Sequence, residues 1–314
     1  MIPDEPMRVP EQGGCLDRIS LGSRSTLPYY RNYSLSGGTA ITRAVVVIHG
    51  INRNAQDYFY SINRAATNVG VTDNTMIVAP YFQVEEDKRE DRDAYWTDSG
   101  WNSWKDGGGA VAPAGLSSFT VMDKILTTLA DKDRFPLLAW ITLVGHSAGG
   151  QFVQRYAAGG RAPDAFAGVT IGYVTANPSS YLYLNSYRPV AQNLIESCPE
   201  YNNYKYGLDN RNEYFNELSD EQIRRQYISR RVTYLLGSAD VHRDPDFETS
   251  CAANAQGDTR FQRGCLYYRS IQKFFPSAQH DMLIVPEVGH DHLAMFNSTQ
   301  GKTAIFQDCA HLRR

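Results

Sequence analysis

One serine, two histidines and a group of aspartates stand where they could carry out nucleophilic acyl transfer. Ser147 lies in Gly145-His146-Ser147-Ala148-Gly149-Gly150, between an apolar run at 137–144 and a helix-like stretch at 151–158 that ends at Gly159-Gly160. G-x-S-x-G between a strand and a helix is the setting of a tight turn that pushes a serine hydroxyl into the open. The flanking glycines are required there, because side chains at those positions would collide with the neighbouring strand and helix. The turn also puts Ser147 at a helix N-terminus, where unpaired N–H groups favour developing negative charge. A hydroxyl is a weak nucleophile at neutral pH and needs an adjacent base. His290, directly after a glycine at a strand exit, suits that role, and His292 is its rival. Asp240 is the expected acid that orients the imidazole, with Asp244 and Asp246 competing. The N–H of Ala148, directly after the nucleophile, is one expected donor to an oxyanion. With histidine as the base, kcat/KM is expected to rise through roughly pH 6–7. The run Asp240, His242, Asp244, Asp246 invites a metal reading, but its spacing matches neither a zinc pattern nor a calcium loop. No metal and no cofactor are expected.

These groups can meet only if separate strands deliver them to one edge of a sheet. Runs at 43–48, 75–79, 137–144, 168–174, 231–236 and 280–285 read as strands, and stretches at 54–67, 117–130, 151–158 and 263–275 read as helices. The β-branched run at 43–48 is typical of a strand buried on both faces of a parallel sheet. Residues 18–23 and 27–35 alternate enough to form an antiparallel pair. The alternation predicts a mostly parallel sheet flanked by helices, with sites at the carboxyl ends of its strands. His49-Gly50, Ser147, Asp240 and His290 each follow a different predicted strand. The length fits a single domain over 1–314. Within it, residues 179–229, rich in Tyr, Asn and Arg, read as an insertion forming a partial cap. Residues 1–17 read as an arm. Residues 81–115 read as a long irregular connection, with Trp96, Trp101 and Trp104 and a charge run at 85–93 expected to be a solvated loop.

The order Ser, Asp, His after successive strands belongs to one hydrolase fold. On Val46-Val47-Ile48-His49-Gly50, the Gly145–Gly149 turn, Leu236-Gly237-Ser238-Ala239-Asp240 and Val288-Gly289-His290, the chain resembles the α/β-hydrolases over nearly its whole length. Residues 145–158 and 176–184 resemble poorly characterised microbial esterase-like members. The resemblance implies an α/β-hydrolase fold and a serine hydrolase that cleaves carboxylic esters through an acyl-enzyme. It also puts the second oxyanion donor at Ile51, just past His49-Gly50. An amidase or peptidase using the same triad, or a polyester depolymerase, is the alternative. A binding protein on a degenerate hydrolase fold would be expected to have lost its nucleophile or base, and both are present. Tyr58, Trp101 and Tyr181 are the aromatic residues expected to contact substrate. Aliphatic residues are sparse between 179 and 228, whereas a long-chain lipase needs a large apolar surface. Short-acyl or aromatic esters, small or polymeric, are therefore the expected partners.

At 314 residues, 42% hydrophobic and 21% charged, the composition is that of an ordinary globular protein. A net charge of −3 gives no basis for a nucleic-acid partner, and no apolar run approaches the ~20 residues of a membrane span. Oligomeric state is left open. Cys251 and Cys265 flank a short polar interval and are expected to pair, which would imply an oxidising compartment. The polar, proline-bearing start has no apolar signal core, which fits either a cytoplasmic protein or a mature form; the expected bridge makes a secreted protein in its mature form the expectation, with a cytoplasmic one as the alternative. Asn32-Tyr33-Ser34 and Asn297-Ser298-Thr299 are glycosylation sequons of a kind common by chance.

Overall fold

The β-branched run at 43–48 becomes a central strand, and its neighbours are the other apolar runs. The computed structural model describes residues 14–22, 24–100, 103–162 and 166–306. Its strands are β1 (Cys15–Gly22), β2 (Ser25–Arg31), β3 (Arg43–Ile48), β4 (Thr75–Pro80), β5 (Gln83–Val84), β6 (Tyr95–Trp96), β7 (Trp140–His146), β8 (Thr170–Ala176), β9 (Arg231–Gly237) and β10 (His280–Val285). Eight of them form one sheet in the order β1-β2-β4-β3-β7-β8-β9-β10, and β5 pairs with β6 apart from it. From β4 to β10 all neighbours are parallel, whereas β1, β2 and β4 pair antiparallel.

The helices are α1 (Ala55–Val69), α2 (Ser118–Ala130), α3 (Ala148–Gly159), α4 (Gln192–Glu196), α5 (Glu213–Asn216), α6 (Asp220–Ser229), α7 (Cys251–Asn254), α8 (Arg260–Phe274), α9 (His292–Asn297) and α10 (Thr299–Phe306). Successive strand residues point to opposite faces, and here both faces are covered. Ala44, Val46 and Ile48 pack with α2, α3, α6 and α8 on one side. Val45 and Val47 pack with α1, α9 and α10 on the other. Caps fix where two helices begin near the site: the Thr259 side chain accepts from Gln262 N at α8, and Asp291 from Ala294 N at α9.

The connection at 81–115 is more ordered than its composition suggests. Trp96 and Trp104 are fully buried, and Phe82 packs 5.3 Å from the first and 5.9 Å from the second, so the connection carries its own small core. The charge run is not wholly solvated. Asp87 accepts from Val84 N and Arg53 Nε, and Asp93 is buried, accepting from Arg18 Nε and Thr26 Oγ1. Most tyrosines of 179–229 turn inward: Tyr181, Tyr183, Tyr204, Tyr214 and Tyr227 are buried, whereas Tyr187 is exposed. Most of the arm at 1–17 lies outside the described residues, but its end, Cys15 to Asp17, belongs to β1.

The expected Cys251–Cys265 bridge is overturned. Cys251 is bonded to Cys198, 53 residues earlier, and Cys265 carries a free thiol. The interval 251–265 is not a plain loop; it contains α7 and the start of α8, and Cys265 sits on α8 against the core. The bridge therefore ties the 179–229 segment to the chain between Asp240 and α8. Both sequon asparagines are engaged as well. Asn32 donates to Thr75 O and accepts from Ile77 N, and Asn297 donates to Ser61 O and Leu293 O. Among the described residues, no helix is long and apolar enough to cross a membrane.

Candidate active site

β7 ends at His146 and α3 starts at Ala148, so Ser147 alone makes the turn between them. Its backbone has φ 60° and ψ −122°, a conformation that a non-glycine residue adopts only when its surroundings enforce it. The enforcement is close packing. A Cβ on Gly145 would lie 2.3 Å from Gly149 O, and one on Gly149 would lie 2.1 Å from Ile48 O. Ser147 N donates to Ala176 O at 2.9 Å, pinning the turn to the end of β8.

Three side chains from three strand ends meet here. His290 Nε2 lies 2.9 Å from Ser147 Oγ, and His290 Nδ1 lies 2.7 Å from Asp240 Oδ2. Asp240 is buried, while His290 is partly open to solvent. A proton can thus pass from the hydroxyl to Nε2 while Nδ1–H stays bonded to the carboxylate.

The rivals are occupied elsewhere. His292 Nδ1 is bonded to Ser61 Oγ at 2.8 Å, and its ring stacks on Tyr58 at 4.1 Å. Asp244 accepts two bonds from Arg260, at 2.6 and 2.9 Å. Asp246 is exposed, and its N–H donates to Asp244 Oδ1. His49 donates from Nδ1 to Gly50 O and accepts from Phe82 N at Nε2, a neutral tautomer that braces the turn. A Cβ on Gly50 would lie 3.8 Å from Ser147 Cβ, so this turn stands beside the serine. Ile51 is half-buried there, its carbonyl held by Arg53 Nη1 at 2.9 Å. Ala148 opens α3, so its N–H has no helical carbonyl to reach.

The expected substrate contacts fare differently. Tyr181 is fully buried and stacks on Tyr267 at 4.5 Å, which makes it core packing, not a pocket wall. Tyr58 is also buried, between His292 and His146, with its hydroxyl 3.3 Å from His146 Nδ1. Neither offers a surface to a substrate. Trp101 lies outside the described residues. The structure adds neighbours of the relay that the sequence suggests only as packing residues, His146 and Gln151, or not at all, Arg260. The buried His146 ring lies 4.4 Å from His290. Gln151, one turn past Ser147, accepts from Arg155 and Ser180. Arg260, fully buried, places Nη1 3.6 Å from Asp240 Oδ1. A position next to the nucleophile was the one signal for His146. An isolated arginine at a helix start gives none.

Burial pushes the buried imidazoles toward the neutral form. Desolvation lowers His49 and His280 from the ordinary 6.5 to about 4, and drives His146 well below its ordinary value. In the unfolded chain these rings regain their ordinary affinity, so as the pH falls the unfolded state binds protons first. Their contribution is fully present above 6.5 and is lost as the pH falls toward about 4. For His49 and His280 it is on the order of 3 kcal/mol per ring. The melting temperature should therefore drop through this window. Asp244, which hydrogen bonding from Arg260 holds below its ordinary 3.8, loses its contribution only at lower pH. A melting temperature that is flat from pH 6.5 to 4.5 would contradict the buried neutral histidines.

Comparison of whole structures agrees with the architecture: the fold is that of the α/β-hydrolases. The chain is similar to LpqC, a poly(3-hydroxybutyrate) depolymerase from Bordetella parapertussis, with a TM-score of 0.64 and 22% identity over 90% of this chain and 86% of that one. It is also similar to poly(aspartic acid) hydrolase-1 from Sphingomonas sp. KT-1, with a TM-score of 0.67 and 19% identity over 94% of this chain and 99% of that one. At such identities the likeness concerns the fold. No protein-family model matches the chain, and no curated protein does.

Proposed function

We propose that the protein is a serine esterase that cleaves carboxylic esters through an acyl-enzyme, with Ser147, His290 and Asp240 as its triad and a preference for short-acyl or aromatic esters. The observation that carries this reading is the unbroken relay from Ser147 Oγ through His290 to Asp240, at 2.9 and 2.7 Å, on a backbone turn strained to φ 60°. Ser147 Oγ attacks the ester carbonyl as His290 Nε2 takes its proton. The oxyanion is held by the N–H groups of Ala148 and Ile51. The intermediate collapses, His290 returns the proton to the leaving alcohol, and the acyl group stays on Ser147. Water then repeats the sequence and releases the acid. Loss of either oxyanion donor is expected to cost ~3 kcal/mol of transition-state stabilisation.

The chain beside α3 supports the short-acyl preference. Gln151, Arg155, Asp106, Ser180 and Lys205 form a polar network next to the elbow helix, and Tyr181, Tyr183, Tyr204, Tyr214 and Tyr227 of the 179–229 segment are buried in the core. The two similar structures are named for hydrolases of polymers, which keeps a polyester built from short acids as the second substrate reading. The Cys198–Cys251 bridge supports an oxidising, extracytoplasmic home.

The test is a panel of p-nitrophenyl esters from acetyl to palmitoyl, run beside a feruloyl ester, poly(3-hydroxybutyrate) and a peptide anilide. Turnover should be highest on the short or aromatic esters, with no jump above the solubility limit of the long ones. Faster cleavage of the anilide would favour the amidase alternative, and a palmitoyl optimum would overturn the chain-length preference.

A further inference from the structure

The acid of the relay has two oxygens, and the triad uses one. Asp240 Oδ2 is bonded to His290; Oδ1 faces Arg260 Nη1 at 3.6 Å, an ion-pair distance. Arg260 is the first residue of α8 and has no exposed surface. Its other bonds are fully specified. Nη1 and Nη2 donate to the two oxygens of Asp244, and Nε donates to Ser179 Oγ. The backbone makes the same connection, since Phe261 N donates to Asp240 O at 3.2 Å. A buried cation therefore lies between the acid of the triad and a second carboxylate that is 38% exposed. Helix packing alone does not require this arrangement, because an apolar residue would fill the volume without the cost of burying a charge.

We propose that Arg260 is a positioning residue of the triad: with Asp244 as its counter-ion it fixes the free oxygen of Asp240, and its charge limits how strongly Asp240 holds a proton on His290. The proposal rests on the serine-hydrolase reading of Ser147. The sign follows from Coulomb's law. Asp240 favours the imidazolium form of His290, and a cation on the far side of Asp240 opposes it, leaving more of the neutral base at a given pH. Asp244 in turn offsets the cation from its outer side.

The other groups facing His290 do not compete for this role. His146 at the end of β7 and His292 at the start of α9 have lowered pKa values, with burial the leading cause, which favours their neutral forms. Ser147 is its reaction partner. Asp291, the adjacent carboxylate, accepts from Ala294 N as the cap of α9. Arg260 is thus the cation in contact with the relay, and Asp244 is the carboxylate paired to that cation.

The experiment needs no substrate. The second-order rate of fluorophosphonate labelling at Ser147 is measured from pH 5 to 9 for the full chain and for R260M, R260K and D244N. R260M removes the cation, so the acid limb should move up, by about half a pH unit or more. D244N leaves the cation unopposed, so the limb should move down, by a smaller amount because that site is partly solvated. R260K keeps the charge and should keep the limb near its wild-type position, with a lower plateau, since an ammonium cannot make the two-pronged contact with Asp244. Opposite shifts from the two halves of one ion pair are not what a loosened fold produces. Shifts of the same sign, or no shift in either variant, would overturn the proposal. If R260M does not fold, R260Q takes its place: an upward shift of the limb supports the proposal and its absence overturns it. A wild-type Ser147 that does not label removes the esterase reading and this proposal together, whereas labelling without shifts removes only the proposal.

Discussion

Replacing Ser147 by alanine should lower kcat/KM on any ester the protein turns over by on the order of 10⁴–10⁶-fold, with no change in melting temperature beyond about 2 °C. The effect is large because no neighbouring hydroxyl can replace this one. Its Oγ alone lies on the relay, 2.9 Å from His290 Nε2. The fold should hold, because an alanine keeps the Cβ that the φ 60° turn already tolerates. His290→Ala should be as severe. His292 cannot substitute, since its ring is stacked on Tyr58 and bonded to Ser61. Asp240→Asn should be milder than either, because the acid orients and stabilises the imidazole and takes no part in bond making. The double variant S147A/H290A should be little worse than S147A, because the two act as one unit. Kinetics on the most active p-nitrophenyl ester check all four. Retention of more than about a tenth of the activity in His290→Ala would remove histidine as the base.

How far the sequence carries depends on whether a feature is local. The strands at 43–48 and 231–237 were legible because β-branched and apolar runs of that length bury on both faces, and 280–285 was legible as an apolar run although it lies at the sheet edge with Ile284 exposed. The elbow was legible because two glycines four residues apart, Gly145 and Gly149, leave room for one strained serine. Asp240 and His290 could be singled out because strand ends converge on one edge of a parallel sheet. What the sequence hid was every pairing that depends on which surfaces dock. Cys251 pairs with Cys198 and not with the nearer Cys265, because α8 carries Cys265 away. Tyr58 and Tyr181 belong to the core because neighbouring rings, His292 and Tyr267, cover them. The charges at Arg260 and Asp106 resemble any surface charge until the burial of each is known.

Asp106→Asn should be the most destabilising of the conservative substitutions, at about 3–5 kcal/mol. Asp106 is fully buried where the 81–115 connection, α3 and the 179–229 segment meet. Its Oδ1 lies 3.1 Å from Arg155 Nη1, an ion contact between two groups with no exposed side-chain surface. Its Oδ2 accepts from Ser103 Oγ at 2.6 Å and lies 4.0 Å from Lys205 Nζ. Its carbonyl accepts from the Tyr204 hydroxyl and from Asn212 Nδ2. Asparagine keeps the shape and the backbone contacts but removes the charge. Lys205 still has Glu248 at 3.1 Å. Arg155 keeps its bonds to Gln151, Ser180 and Lys205 O, all neutral acceptors, so its charge is left buried without a counter-ion. That is the costly case, because a buried pair contributes little as a pair yet costs much when one half is removed. The double variant D106N/R155M therefore should recover most of the loss, although each single substitution is strongly destabilising. Urea midpoints for the four members of this cycle give the coupling directly. Additive losses in the double variant would mean that the two charges do not depend on each other.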